Sequence, residues 1–206
     1  MENETTHKIL AGAKELFFRH GIKSITMDDI AKHLGMSKKT IYQYFKDKNE
    51  VVHMLMKHTL ASDQRDIECI KKESNNVIEE VMEMMKHMTK MFSSINPNLF
   101  YDIQKYHPQS WKLLDDFKKK CVEKMVEDSI EKGKKQGLVR VDVDSKVLSR
   151  LRIHEIEMAF NMDLFPPDQF QTLQVQLALT DHFLHGIYTI KGHKLINKYK
   201  EIIEEE

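Results

Sequence analysis

Few residues in this chain can stop a helix. Seven glycines and four prolines are spread over 206 residues, and apolar residues recur at helical spacing in the long stretches between them. Sparse breakers with that period predict an all-α fold, in one or two domains for this length. Only 138–143, where Val139, Val141 and Val143 alternate, reads as strand-like. It is too short and isolated to build a sheet, so an extended loop is expected.

The punctuation places the elements. A first helix is expected over 6–20, with Ile9, Leu10, Ala13, Leu16 and Phe17 on one face and Gly21 at its C-cap. Thr26 caps the next, whose first turn carries Asp28 and Asp29 at the positive end of the helix dipole. Gly35 stops it. Ser37 caps a short helix over 38–45, and Asp47 with Glu50 forms a capping-box start for a fourth. Longer helices are expected over 48–73, 76–94, 97–106, 110–136, 144–163 and 168–191, followed by a short acidic helix or tail.

Residues 26–45 thus read as a capped helix, a glycine turn and a second short helix, which is helix-turn-helix grammar. In the second helix, Ile41 and Phe45 mark the packed face. Lys39, Thr40 and Gln43 lie opposite, Tyr42 and Tyr44 flank them, and Lys38 can swing out on its long stem. This is chemistry for a major groove: lysine for phosphates or guanine, glutamine for adenine, a threonine methyl for thymine. The whole chain has 32 basic and 32 acidic residues, so any nucleic-acid surface must be local. Over 32–48 five lysines (Lys32, Lys38, Lys39, Lys46, Lys48) stand against one acid, Asp47. Gln43, mid-helix and outward, is expected to read base edges, and Lys48, outside the groove-reading face, to contact phosphate.

The run Leu34-Gly35-Met36-Ser37-Lys38-Lys39-Thr40-Ile41-Tyr42-Gln43-Tyr44-Phe45-Lys46-Asp47-Lys48, preceded by Ile9 to Phe17, His20-Gly21 and Ile25 to Ala31, resembles the N-terminal domain of TetR (tetracycline-repressor) family transcriptional regulators. The resemblance spans residues 6–54. It implies that Lys38, Lys39, Thr40, Tyr42, Gln43 and Tyr44 face the groove, and that Thr26, Ser37 and Lys48 touch the DNA backbone. Lys39 stands where the family often has glycine, so a relative's operator need not transfer. The expected division is a DNA-binding domain of three helices over 1–48 and a larger helical effector-binding and dimerisation domain over 49–206.

Within 168–191, Phe170, Leu173, Leu177, Thr180, Leu184 and Ile187 form an a/d seam with one polar member. Such a seam suits either an interior helix of a monomer or a dimer interface. The resemblance favours a homodimer built on the last two long helices, 144–163 and 168–191. Methionines and aromatics crowd the middle of the chain, and soft, adaptable walls suit apolar ligands. The resemblance implies a small-molecule cavity there, for which Met85, Met88, Phe92, Phe100, Tyr101, Gln104, Trp111 and His154 are candidates.

Other chemistries lack their signatures. There is no glycine-rich phosphate loop, nucleophile elbow or HExxH, so no enzyme is expected. The spacings of His53 and His58, and of His182 and His185, supply too few ligands for a metal site, and no cofactor is expected. Residues 1–8 do not read as a signal peptide, and no apolar run approaches the ~18–20 residues that span a bilayer. With Cys69 and Cys121 at no metal or CxxC spacing, a cytoplasmic protein is expected, binding double-stranded operator DNA. The competing class is a helical ligand-binding or scaffold protein without specific DNA recognition.

Overall fold

The computed structural model describes residues 4–93, 95–96 and 98–199. Among them the regular elements are helices: α1 (Glu4–His20), α2 (Met27–Leu34), α3 (Lys38–Tyr44), α4 (Lys48–Glu73), α5 (Val77–Phe92), α6 (Asn98–Tyr106), α7 (Pro108–Phe117), a π-helical turn (Lys118–Val122), α8 (Glu123–Lys135), α9 (Ser145–Met158), α10 (Thr172–Ile187) and α11 (Ile190–Tyr199). The fold is all-α, as the breaker count predicts. The valines of 138–143 contribute one isolated antiparallel bridge, Val139 to Tyr188.

Several boundaries move for identifiable reasons. Pro108 opens α7 two residues ahead of expectation, since its missing N–H costs nothing at a first helical position. The single helix expected over 110–136 is interrupted by the π-helical turn. α9 ends at Met158, where the Asn161 side chain accepts the N–H groups of Asp163 and Leu164 and turns the chain. α10 starts at Thr172, because the Pro166 carbonyl takes the amides of Gln169 and Phe170 in a local turn. The break expected at Lys191-Gly192 falls earlier. The Val139–Tyr188 bridge interrupts the helix at Tyr188-Thr189, and Gly192 lies inside α11. The acidic end of the chain, 200–206, lies outside the described residues.

The chain forms two compact units. One comprises Met1–Asp63 and Ser94–Asp116, the other Gln64–Ser93 and Phe117–Glu206. The first buries Ile9, Leu10, Ala13 and Phe17 of α1, Ile30 and Ala31 of α2, Ile41 of α3, Val51 and Val52 of α4, and Leu99 and Ile103 of α6. Each large side chain fully buried in this way contributes about 1.5–3 kcal/mol. The second unit centres on Val77, Ile78, Ile130, Leu138, Val139, Phe183, Leu184, Ile187, Tyr188 and Ile196.

Candidate DNA-reading face and its support

Helix ends leave backbone N–H groups without partners, and in the first unit side chains close these ends one after another. The Thr26 hydroxyl accepts the Asp29 N–H at 3.2 Å, while the Asp29 carboxylate accepts the Thr26 N–H at 2.8 Å and its hydroxyl at 2.6 Å. Those bonds hold the Asp29 carboxyl below its ordinary pKa. Gly35 closes α2 in the left-handed conformation, φ 63°. Ser37 then caps α3, its oxygen taking the Thr40 N–H at 3.0 Å. At the start of α4 the Glu50 N–H donates to Asp47, as a capping box requires, but the Glu50 carboxylate takes the N–H of Lys46, one residue before the cap, rather than that of Asp47.

On α3 only Ile41 is buried, and Phe45 is buried just after it. Lys38, Lys39, Tyr42 and Gln43 are exposed, and Thr40 and Tyr44 are half-buried. The Thr40 hydroxyl is already 2.8 Å from the Ser37 oxygen, so its methyl is the part left for a base. Two lysines are more engaged than a charge count suggests. The Lys38 ammonium pairs with Asp28 at 2.7 Å, which raises its pKa, and sits over the Tyr42 ring. The Lys48 ammonium turns inward and donates to the carbonyls of Ile22 at 3.0 Å and Ile25 at 2.8 Å. Burial lowers its pKa, against the attraction of Asp102 and Asp29. Lys32, Lys39 and Lys46 remain exposed.

Asp102 is the partner that sequence reasoning missed. It lies on α6, outside the helix-turn-helix, and is 4% exposed. Its carboxylate accepts the Lys23 N–H at 2.8 Å, across 79 residues of sequence. The signal was available: Leu99, Asp102 and Ile103 share one face of α6, and a carboxylate on an otherwise apolar stripe needs a reason. Nearby, the Asn96 N–H donates to the Phe18 carbonyl at 2.7 Å. His107 is buried with its Nδ1 unpartnered.

The candidate effector residues divide between the units. Phe100, Tyr101, Gln104 and Trp111 belong to the first, and Met85, Met88, Phe92 and His154 to the second. Phe92 packs edge-on against Phe160, and Met85 and Met88 are half-buried. The two polar candidates, Gln104 and His154, are exposed, and His154 lies 3.0 Å from Glu157. The buried polar groups of the second unit are others: Glu80, Ser149, Arg152, Glu155, Gln176 and Thr180. Arg152 donates to Glu155 at 3.2 Å and to the Thr180 hydroxyl, which itself donates to the Gln176 carbonyl. The Gln176 side chain donates to the Ile156 carbonyl at 2.7 Å, and its own oxygen is unpartnered. Burial pushes the Arg152 pKa down, while Glu155 opposes the shift.

The expected dimer seam also divides. Leu184 and Ile187 sit in the chain's own apolar cluster, and Thr180 is held by Arg152. Those three side chains are consumed inside the second unit. Phe170 is exposed but precedes α10, and Leu173 and Leu177 are half-buried. A helix apolar on several sides offers more than one stripe, and periodicity does not say which stripe faces its own core. On α9, Val147 is 60% exposed and Leu151 47%.

Residues 9–55 match the model of the family described as bacterial regulatory proteins, tetR family. Over 181 residues the chain is 28% identical to the HTH-type transcriptional regulator YvaF of Bacillus subtilis, covering 87% of this chain and 94% of that one. Among solved structures, a transcriptional regulator from Saccharomonospora viridis in complex with choline superposes with a TM-score of 0.74 at 19% identity, covering 91% of this chain and all (100%) of the other. The triclosan complex of SmeT, a repressor from Stenotrophomonas maltophilia, gives 0.68 at 15% identity, covering 91% and 93%. At those identities the solved structures show a shared fold. No helix among the described residues is long and apolar enough to cross a membrane.

Proposed function

We propose that this chain, a transcriptional regulator of the tetR type, is a cytoplasmic homodimeric repressor that a small, largely apolar effector releases from a palindromic operator. The observation that carries the reading is α3: a capped short helix with Ile41 buried and Lys39, Tyr42 and Gln43 exposed. Gln43 reads a base edge, Lys39 takes a guanine or phosphate, and the Thr40 methyl meets a thymine methyl. Lys38, Tyr42 and Tyr44 border the groove, and Thr26 and Ser37 approach the backbone at the starts of α2 and α3. In function the chain divides at residue 48, reading DNA before it and sensing and pairing after it.

A palindrome requires two heads about 34–36 Å apart, hence a dimer. Its contact runs over Val147 and Leu151 with Phe170, Leu173 and Leu177, because Thr180, Leu184 and Ile187 are spent within the chain. The effector site draws on Met85, Met88 and Phe92 of the second unit, soft or aromatic groups that suit an apolar molecule. The triclosan and choline complexes belong to proteins of the same fold, and they support a small-molecule site without naming this one.

The test is selection of bound duplexes from random DNA, then titration of the wild type and Gln43→Ala on the selected and on a random duplex. Loss of about 1–3 kcal/mol on the selected duplex, with little change on the random one, supports the reading. Selection of no sequence at all supports a helical ligand-binding or scaffold protein instead. Leu177→Lys should give monomers in sedimentation. A monomeric wild type at micromolar concentration refutes the dimer.

A further inference from the structure

We infer that Lys48 and Asp102 are positioning residues for DNA reading, which together hold the turn between α1 and α2, and that Lys48 does so in place of a phosphate contact. The inference rests on the DNA-binding reading above.

The turn over 21–25 has its polar groups taken from two sides. Its carbonyls at Ile22 and Ile25 accept the Lys48 ammonium from α4, and its Lys23 N–H donates to the Asp102 carboxylate from α6. The two clamping groups are opposite charges that attract one another, and the Asp102 carboxylate helps keep Lys48 charged against burial. Neither group is idle. A buried carboxylate without a cation or donors is costly, and so is a partly buried ammonium without acceptors. An ammonium has three donors, and two of those on Lys48 are committed to the turn. To reach a phosphate it must abandon both carbonyls and draw away from the attraction of Asp102.

The turn matters because nothing separates it from the reading unit. Thr26, the cap of α2, follows Ile25 directly, and α3 follows α2 through the tight Gly35 turn. The position of 21–25 therefore sets where α2 begins. Gly21 adds a second constraint. Its φ is +79°, and a Cβ there would lie 3.3 Å from the Asp102 carboxylate. The turn is shaped to admit the α6 carboxylate. By this account α6 is part of the reading head although it lies some fifty residues past the motif.

The experiment is a double-mutant cycle of Lys48→Met and Asp102→Asn in the full chain. Asn keeps an acceptor for the Lys23 N–H but removes the charge. Affinities are measured across a salt series on two duplexes of equal length, one selected from random DNA by the wild type and one of random sequence. Melting curves first fix a temperature at which every variant is folded. For a positioning role, Lys48→Met costs tenfold or more on the selected duplex and less on the random one. The slope of log affinity against log salt stays at the wild-type value, and the double variant binds about as well as the worse single one. Gly21→Ala, which disturbs the same turn and crowds the Asp102 carboxylate without removing a charge, gives the same pattern and stands in if either charge variant fails to fold. Equal losses on both duplexes, with the slope reduced by about 0.9 per head, identify Lys48 as a phosphate ligand and overturn the inference. Multiplying losses in the double variant overturn it as well. A wild type that selects no sequence removes the DNA-binding reading and this inference with it.

Discussion

In the reading head, most polar groups that the fold must satisfy lie at helix ends and find partners within four residues: Thr26 with Asp29, Ser37 with Thr40, Asp47 with Glu50, Lys46 with Glu50. The second unit has such local caps too, at Asn76 and Asp144, but it also holds buried polar groups in mid-helix with distant partners. Gln176 reaches Ile156 across 20 residues, Arg152 reaches Thr180 across 28, and Lys132 reaches Glu80 across 52. The first arrangement is built from short, exposed bonds that each matter modestly. The second sinks charge into the interior, where one missing partner strands another. The head can therefore change its surface at little cost, while the second unit resists change at a few interior points.

That contrast makes graded demands on mutants. The largest loss is expected from Glu155→Ala, which strands the Arg152 guanidinium: about 3–5 kcal/mol in urea denaturation at neutral pH. Arg152→Met with Glu155→Leu, which removes both charges, should cost far less. If the single variant costs under ~1 kcal/mol, the pair is wetter than its burial suggests and the contrast weakens. Next comes Gly133→Ala. A Cβ there would stand 2.3 Å from Val139 Cγ2 and 3.2 Å from Val77 Cγ1. Overpacking of this kind costs about 1–3 kcal/mol, read as a lower melting temperature. In the head, Thr26→Ala should cost only about 1 kcal/mol, the usual worth of a cap. A loss several times larger, in the same melting assay, would show that the cap carries more than its own helix end.

The smallest effect is a pH dependence. Burial, then the Lys48 ammonium, holds the His107 pKa below its ordinary value of 6.5, against Asp102 and Asp47. The folded chain thus keeps His107 neutral where the unfolded chain would take a proton. Its contribution is intact above about pH 6.5 and declines as the pH falls below that value. Denaturation midpoints at pH 7.5 and 5.5 should differ more for the wild type than for His107→Gln. Equal differences would mean that His107 does not sense the cluster.

The same contrast explains what the sequence could tell. Caps, the Gly35 turn and the Ile41/Phe45 face follow from contacts within four residues, so these parts of the head are legible in the sequence. The inward hydrogen bonds of Lys48 are not legible from its neighbours, because their acceptors, Ile22 and Ile25, are far behind it in sequence. In α10 the heptad spacing was real, but three members of the seam turn inward, and period alone has no sign. Gln104 and His154, the polar candidates for the effector site, are exposed. Buried polar groups of the second unit include Arg152 and Gln176, which betray themselves only as polar residues on otherwise apolar stripes.

The first unit is discontinuous in the chain, closing only when Ser94–Asp116 joins Met1–Asp63. On a ribosome adding about 5–20 residues per second, Asp102 emerges roughly 2–8 s after residue 63. During that interval Lys23 has no Asp102 carboxylate to meet, and the buried Leu99 and Ile103 of α6 are missing from the core of the unit. A nascent chain in which residues 26–48 are all made still lacks part of the first unit. Synthesis order thus withholds the completed reading surface until part of the downstream region exists, and a fragment ending at residue 63 should be more open to proteases than the same residues in the whole protein.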